Sequence, residues 1–191
     1  MLISIVYDSG YGHTAKQAEG VASGARRVAS AQVELVAVGV APVDWDVLAN
    51  SDAIVFGSPT YNGMLNAKLK QFFEDSTKKA WNDLVWCDKI AAGFTNSGAQ
   101  SGDKLNTLTS MALFAAQHAM IWVGLDLKPG HSSSTGQVSD LNRLGSWLGA
   151  MAQSNVDQGA HVAPIASDLQ TAAHLGQRVA EIAGRLSAAN R

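Results

Sequence analysis

Short, nearly continuous apolar runs alternate along this chain with stretches in which apolar residues recur every three or four positions. The runs Leu2 to Tyr7, Ala53 to Gly57, Ile90 to Phe94 and Met120 to Leu125 have almost no polar interruption. They predict strands buried on both faces, as at the centre of a parallel sheet. Val33 to Val38 is broken by Glu34 and predicts an edge strand with one side in water. The three-and-four spacing predicts helices through Ala15, Ala18, Ala22, Ala25 and Ala29, through Leu65, Leu69, Phe72 and Phe73, and through Leu105, Leu108, Ala112 and Ala115. A last one runs through Leu169, Ala172, Gly176, Val179, Ala183 and Leu186. Alternation of this kind implies right-handed βαβ units, hence an α/β fold with a doubly wound five-stranded parallel sheet covered by helices on both faces. Asp126 to Ser167 is expected to be a long functional or interface loop, broken by a short helix over Asn142 to Ala152.

In an open sheet of this kind ligands bind beyond the carboxyl ends of the strands, where the winding direction reverses. The loops after strands one, three and four therefore carry the candidate chemistry. The first is Ser9-Gly10-Tyr11-Gly12-His13-Thr14. Its glycines allow a sharp turn with exposed N–H groups, Ser9 and Thr14 add hydroxyls, and the following helix offers its positive end to an anion. Alone it is either a tight strand-to-helix turn or a phosphate cradle. Ala15 stands where G-x-G-x-x-G needs a glycine, and His13 stands where the ATP-binding loop needs its lysine, so dinucleotide and ATP binding are disfavoured. The second loop is Ser58-Pro59-Thr60-Tyr61-Asn62-Gly63, with a stiffening proline and a flat ring. The third is Thr95-Asn96-Ser97-Gly98, closed by Gly102 before the next helix. A phosphate in the first loop and a flat ring between the other two describe a flavin mononucleotide, FMN.

Composition narrows the setting. A chain of 191 residues with 47% hydrophobic and 16% charged residues is expected to form one domain, 1–191. A formal charge of -2 provides no field for nucleic acid or anionic lipid. The lone Cys87 excludes an internal disulfide, and the histidines at 13, 118, 131, 161 and 174 are scattered, so no metal site is expected. Met1 leads directly into a strand, without the pattern of an export signal, and no apolar run reaches the roughly 20 residues that span a bilayer. A cytoplasmic location is expected. No G-x-S-x-G elbow presents a nucleophile. Cys87, Trp86, Trp122 and Trp147 are read as packing or interface residues, and His131 as a solvated loop residue.

The three loops, in this order and each after a buried strand, resemble those of flavodoxin-like FMN proteins, and more closely the WrbA-type NAD(P)H:quinone oxidoreductases and related FMN reductases. Trp81 in K-K-A-W-N, His118 in A-Q-H-A-M and the stretch Asn142-Arg143-Leu144-Gly145-Ser146 are similar to what that family carries there. The chain departs from WrbA at Tyr61 and Asn62, where an arginine and a phenylalanine are typical, and it lacks a long insertion after Val40. The resemblance implies strand order 2-1-3-4-5, bound FMN, and NAD(P)H as reductant. It also implies a quinone or similar flat acceptor, a homodimer or homotetramer, and Trp81 and His118 lining the space above the flavin. By sequence alone His118 is equally a residue capping a helix, where the dipole would favour its cation. Two alternatives stay open: a one-electron carrier of the flavodoxin type, and a flavin-free regulatory protein on the same fold.

Overall fold

In a computed structural model, which describes residues 1–189, the apolar runs line up as one parallel sheet. Strands β1 (Leu2–Tyr7), β2 (Gln32–Ala37), β3 (Ala53–Tyr61) and β5 (Ile90–Ser97) occupy four positions. β4 (Met64–Leu65) folds back on β3, while β6 (Ile121–Trp122) and β7 (Ala150–Gln153) both pair with β5. The order β2-β1-β3-β5-β6 is the expected doubly wound 2-1-3-4-5. Helices α1 (His13–Ala25), α2 (Trp45–Asn50), α3 (Ala67–Ser76) and α4 (Lys104–Gln117) connect strands, and α5 (Ala166–Ala189) follows β7. A π-helical turn, Thr77–Trp81, follows α3 directly.

The burial follows from the sequence pattern. β3 and β5 are buried along almost their whole length, whereas β2 alternates exposed and half-buried residues, as an edge strand does. On one face α1 and α5 pack Ala18, Val21, Ala22 and Ala25 with Ala172, Leu175, Val179 and Ala183 over Ile3, Ile5, Val55 and Phe94. On the other, α3 and α4 supply Leu69, Phe72, Phe73, Leu108, Met111 and Phe114 over Val6, Ile54, Phe56 and Ala91. Phe73 and Phe114 stack at 3.6 Å, which locks α3 to α4. α2 was not foreseen; Asp44 caps it by accepting from the N–H groups of Asp46 and Val47.

Three expectations need correction. The fifth strand is not one run over Met120 to Leu125. Its lower half is β6, beside Ile90 and Ala91, and its upper half is β7, beside Phe94 to Ser97; residues 123–149 leave and rejoin the same sheet position. The short helix over Asn142 to Ala152 does not form, because Ala150–Gln153 instead completes the ladder on β5. The segment Ser58 to Gly63 is mostly strand and not loop: β3 runs to Tyr61, and Asn62 (φ 49°) and Gly63 (φ 83°) make the two-residue turn to β4. Asn-Gly with both residues at positive φ is the preferred tight hairpin connection.

α1 and α5 approach so closely that glycine is required on each. A Cβ on Gly24 would lie 1.7 Å from the Ala173 carbonyl oxygen, and one on Gly176 would lie 1.9 Å from that of Val21. Backbone cannot yield as a side-chain tip can, so overpacking here separates the helices. Gly24→Ala is expected to destabilise the protein by about 2–3 kcal/mol, measured by urea unfolding; a change within experimental error would show that the helices do not make this contact.

Candidate functional site

A cavity of about 600 Å³ opens at the carboxyl end of the sheet, within the range of small-ligand sites. One end is the loop after β1. Gly12 sits at φ 88° as the residue before α1, has no side chain to cap the helix, and α1 carries no acidic residue in its first turn. The positive end of α1 therefore has no carboxylate of its own helix to offset it and can attract an anion. The Ser9 hydroxyl accepts the Ala15 N–H at 3.1 Å and so shapes the loop from within. A Cβ on Gly12 would sit 3.0 Å from Ala160 Cβ, and one on Gly10 would sit 2.6 Å from the Tyr61 hydroxyl, so the cradle has room only for backbone.

The other end lies between Pro59, Thr60 and Tyr61 on one side and Asn96, Ser97 and Gly98 on the other. Tyr11 and Tyr61 meet edge to face at 6.4 Å above the opening. Burial, followed by the charges of Tyr11 and Asp8, raises the Tyr61 phenol above its ordinary pKa, so it stays protonated and can donate. A hydroxyl chain backs this wall: Thr60 Oγ1 lies 2.8 Å from both Thr95 Oγ1 and Thr107 Oγ1. The shape suits a phosphate at one end and a flat ring at the other.

The third wall was missing from the sequence reading. Ser154, Val156, Asp157, Gln158 and Gly159, which follow β7, line the same cavity. Ser154 donates to Asn96 Oδ1 at 3.1 Å, and His13 Nε2 donates to the Gln158 carbonyl at 2.7 Å. His13 thus ties this loop to the loop after β1 and is committed to that carbonyl. A Cβ on Gly98 would lie 2.6 Å from Val156 Cγ1, so Gly98 is there to let the third wall close. The only signal for these residues was the irregular length of the segment from Asp126 onwards.

Eleven of the expected contacts, Ser9, Gly10, Tyr11, His13, Thr14, Pro59, Thr60, Tyr61, Asn96, Ser97 and Gly98, line the cavity. The others shape it from behind. Gly12 supplies the left-handed turn, and Asn62 and Gly63 form the hairpin tip. The fully buried Ser58 accepts from the Asn66 N–H at 3.0 Å and donates to the Pro59 carbonyl at 2.7 Å, so it holds the start of α3. Asn66 in turn donates to the buried carboxylate of Asp8. Thr95 is fully buried in the hydroxyl chain, and Gly102, at φ 54°, lets the next loop pass Ser97.

Trp81 and His118 come together in a different place. They line a second groove with Met64, Phe73, Leu113 and Phe114, on the α3 and α4 face, and do not reach the first cavity within one chain. His118 is 2% exposed, 4.6 Å from Trp86 and 4.5 Å from Phe114. Ser76 donates its hydroxyl to the Phe73 carbonyl, so His118 Nε2 must carry the proton in their 3.0 Å contact, and Nδ1 is left as an unpaired acceptor. Burial pushes its pKa down to about 4. The expected favouring of the cation by the helix end is therefore overruled by desolvation, and His118 is neutral near pH 7.

Beneath the ring end lies a buried charge cluster. Arg143 Nε and Nη2 each donate to Asp168 at 2.8 Å, and Asp168 also accepts the Gln153 N–H at 2.9 Å. Gln153 then donates to the Gly98 carbonyl at 2.9 Å. The fully buried Lys104 donates to Ser97 Oγ at 2.9 Å and to the Ala99 carbonyl at 2.6 Å. Arg143 was noted in the sequence only as part of a motif, and Lys104 and Asp168 were not noted.

Comparison with known proteins gives the site a context. The flavodoxin domain family matches residues 4–117. Flavodoxin FldP of Pseudomonas aeruginosa is 40% identical over 185 residues, covering 96% of this chain and 97% of that protein. An NAD(P)H dehydrogenase (quinone) of Archaeoglobus fulgidus is 39% identical over 139 residues, 73% of this chain and 63% of that protein. Among solved structures, a WrbA-like flavodoxin of Agrobacterium tumefaciens superposes with a TM-score of 0.74 at 35% identity, covering 96% of this chain and 98% of that one.

His118 also makes stability depend on pH. Its folded pKa is depressed below the unfolded value, so the unfolded chain binds more protons between about pH 6.5 and 4, and stability is lost as pH falls through that window. Urea unfolding at pH 7 and pH 5 is expected to show a loss of about 2 kcal/mol from this residue. His118→Phe should lack that share of the loss; an unchanged pH dependence in the variant would contradict the assignment.

Proposed function

Since the chain belongs to the flavodoxin domain family, we propose that it is an FMN-dependent oxidoreductase in which NAD(P)H reduces the flavin and a quinone or similar flat acceptor reoxidises it. The observation that carries this reading is the cavity itself, with a glycine turn and a helix end free of acidic residues at one pole and a ring-sized slot between Tyr61 and Gly98 at the other. The donor set fits a monophosphate: the backbone N–H groups at the start of α1, with the Thr14 hydroxyl, and no lysine or metal-binding carboxylate in the loop. FMN, when bound, supplies the hydride and electron chemistry, and the protein supplies position and electrostatics.

Each wall has a share in that work. The turn Ser9–Thr14 holds the phosphate, Tyr61 flanks the ring, and the backbone of Asn96 to Gly98 offers fixed hydrogen-bonding groups to the ring edge. The hydroxyl chain behind Thr60 keeps that wall dry and rigid. Tyr11, 79% exposed, and Val156, 91% exposed, leave an apolar rim against which a second flat molecule can lie. Among the residues lining the cavity, Asp157 is the one acidic residue and there is no lysine or arginine. A rim so weakly charged suits a small substrate better than a basic protein partner. In this reading the chain is a homodimer or homotetramer, and Trp81 and His118 serve the cavity of another copy.

The second reading, a one-electron carrier, is favoured by the name of the Pseudomonas relative, which aligns over nearly the whole chain. Stopped-flow mixing separates the two. The FMN-loaded protein is expected to lose its flavin absorbance directly on mixing with NADPH or NADH and to recover it on addition of a quinone; no direct bleaching would leave the carrier. Light scattering should report a dimer or larger. Gly12→Val, which places a branched side chain at φ 88° beside Ala160, is expected to weaken FMN binding about tenfold or more, read by quenching of flavin fluorescence. Unchanged binding would move the phosphate elsewhere.

A further inference from the structure

The least expected residue near the cavity is Lys104. It is the first residue of α4, where the helix dipole opposes a cation, and it is fully buried. It has no carboxylate partner among its hydrogen bonds: its ammonium is held by Ser97 Oγ and the Ala99 carbonyl. Ser97 itself donates to the same Ala99 carbonyl at 2.9 Å, and Gly102 lacks the Cβ that would stand 2.3 Å from Ser97 Oγ. The whole turn from Ser97 to Gly102 is wrapped around one amine. Burying a cation with neutral partners is costly, and a neutral residue would serve packing better.

The opposite face of that turn, Ser97 and Gly98, is the ring-end wall of the cavity. The other charges facing this region are those of Arg143, in the segment between β6 and β7, and of Asp168, at the start of α5. These two form a bidentate pair that is 6% and 2% exposed, so their charges offset each other. Asp103 immediately precedes α4, and Asp157 lines the cavity from the loop after β7. Lys104 is thus the unneutralised cation placed directly behind the wall, in surroundings where a charge is weakly screened.

We propose that Lys104 is a positioning residue for charge, an electrostatic counterpart to a ring that becomes anionic on reduction, and that it gains a proton as that anion forms. This rests on the FMN reading. Two electrons and one proton entering bound FMN leave one negative charge on the reduced ring. When Lys104 is neutral beforehand, a second proton, drawn from solvent, adds to Nζ and cancels that charge. When it is already protonated, the cation is in place and no second proton is needed. By linkage, an amine that binds its proton more tightly in the reduced protein also makes reduced FMN bind more tightly relative to oxidised FMN.

Reductive titration with dithionite across pH 6.5 to 9.5, following the flavin spectrum against a redox dye, reads the proton count per pair of electrons. Burial lowers Lys104 to about 8, so with a coupling of about one pKa unit the wild-type count is expected to rise from about one at pH 6.5 to about one and a half near pH 8.5 and to fall back towards one by pH 9.5. In Lys104→Met the count should stay at about one throughout. The preference for reduced over oxidised FMN should fall about tenfold at pH 7, the change expected for a coupling of about one pKa unit. A merely structural role would lower the affinity for both forms alike and leave the proton count unchanged, and that result overturns the proposal. If the wild type binds no FMN, the parent reading falls and this one with it; normal FMN binding with identical proton counts sinks this one alone. Should Lys104→Met fail to fold, ¹⁵N-lysine NMR of the wild type decides: the Lys104 pKa must be higher in the reduced than in the oxidised protein, and equal values refute it.

Discussion

The carboxylate of Asp168 ties together the segment between β6 and β7, β7 itself and the start of α5. Its side chain is 2% exposed, and a charge so buried is tolerated only when it is paired and hydrogen-bonded, here by three donors. Two bonds from Arg143 fix the inserted segment to α5, and the bond from the Gln153 backbone fixes β7 to both. From β7 the order spreads outwards, through Gln153 to Gly98, Ser154 to Asn96, and the Gln158 carbonyl to His13. One anion therefore anchors the wall that joins the two ends of the cavity. Such a buried pair adds little net stability over an apolar substitute. Its work is to hold the upper fifth strand at one height.

The central sheet was legible because its information is local. Runs such as Ile54 to Phe56 and Ala91 to Phe94 admit no partly solvated position, and the half-polar β2 declared itself an edge. The split fifth strand was not legible. Ile121 and Trp122 are too few to mark a strand alone, and Ala150-Met151-Ala152-Gln153 lacks β-branched residues, so only pairing with β5 makes it one. The Asn62-Gly63 turn was written in the sequence as a hairpin signal, yet it stood inside a stretch whose ligand-like residues drew the reading towards an open loop.

The site was legible to the extent that it is made of backbone. Glycine turns have a stereochemical meaning that needs no partner, which is why the first and third loops were found. Val156 to Gly159 have ordinary chemistry and became a wall through tertiary position alone. Lys104, Arg143 and Asp168 stayed hidden for a related reason: charged residues in sequence read as surface, and only the fold shows all three enclosed. His118 went the opposite way. Its place at the end of α4 suggested a stabilised cation, and the aromatic rings of Trp86 and Phe114 around it make it a neutral imidazole.

The segment 123–149 departs from the sheet and returns to it at nearly the same point. Trp122 Nε1 donates to the Leu148 carbonyl at 2.9 Å, and the Leu125 N–H donates to that of Trp147 at 2.9 Å, so its two ends are stitched side by side. Lengthening a loop whose ends already touch costs only a slowly growing entropy. Between those stitches Asn142 and Ser146 are buried, and Asn142 and Arg143 both bond to α5, so it is the exposed stretch 131–137 that can be exchanged, trimmed or grafted with little change to the scaffold. The fold thereby gathers its tolerant positions into one exposed excursion whose two feet are already joined, so that change there leaves the edge of the sheet where it was.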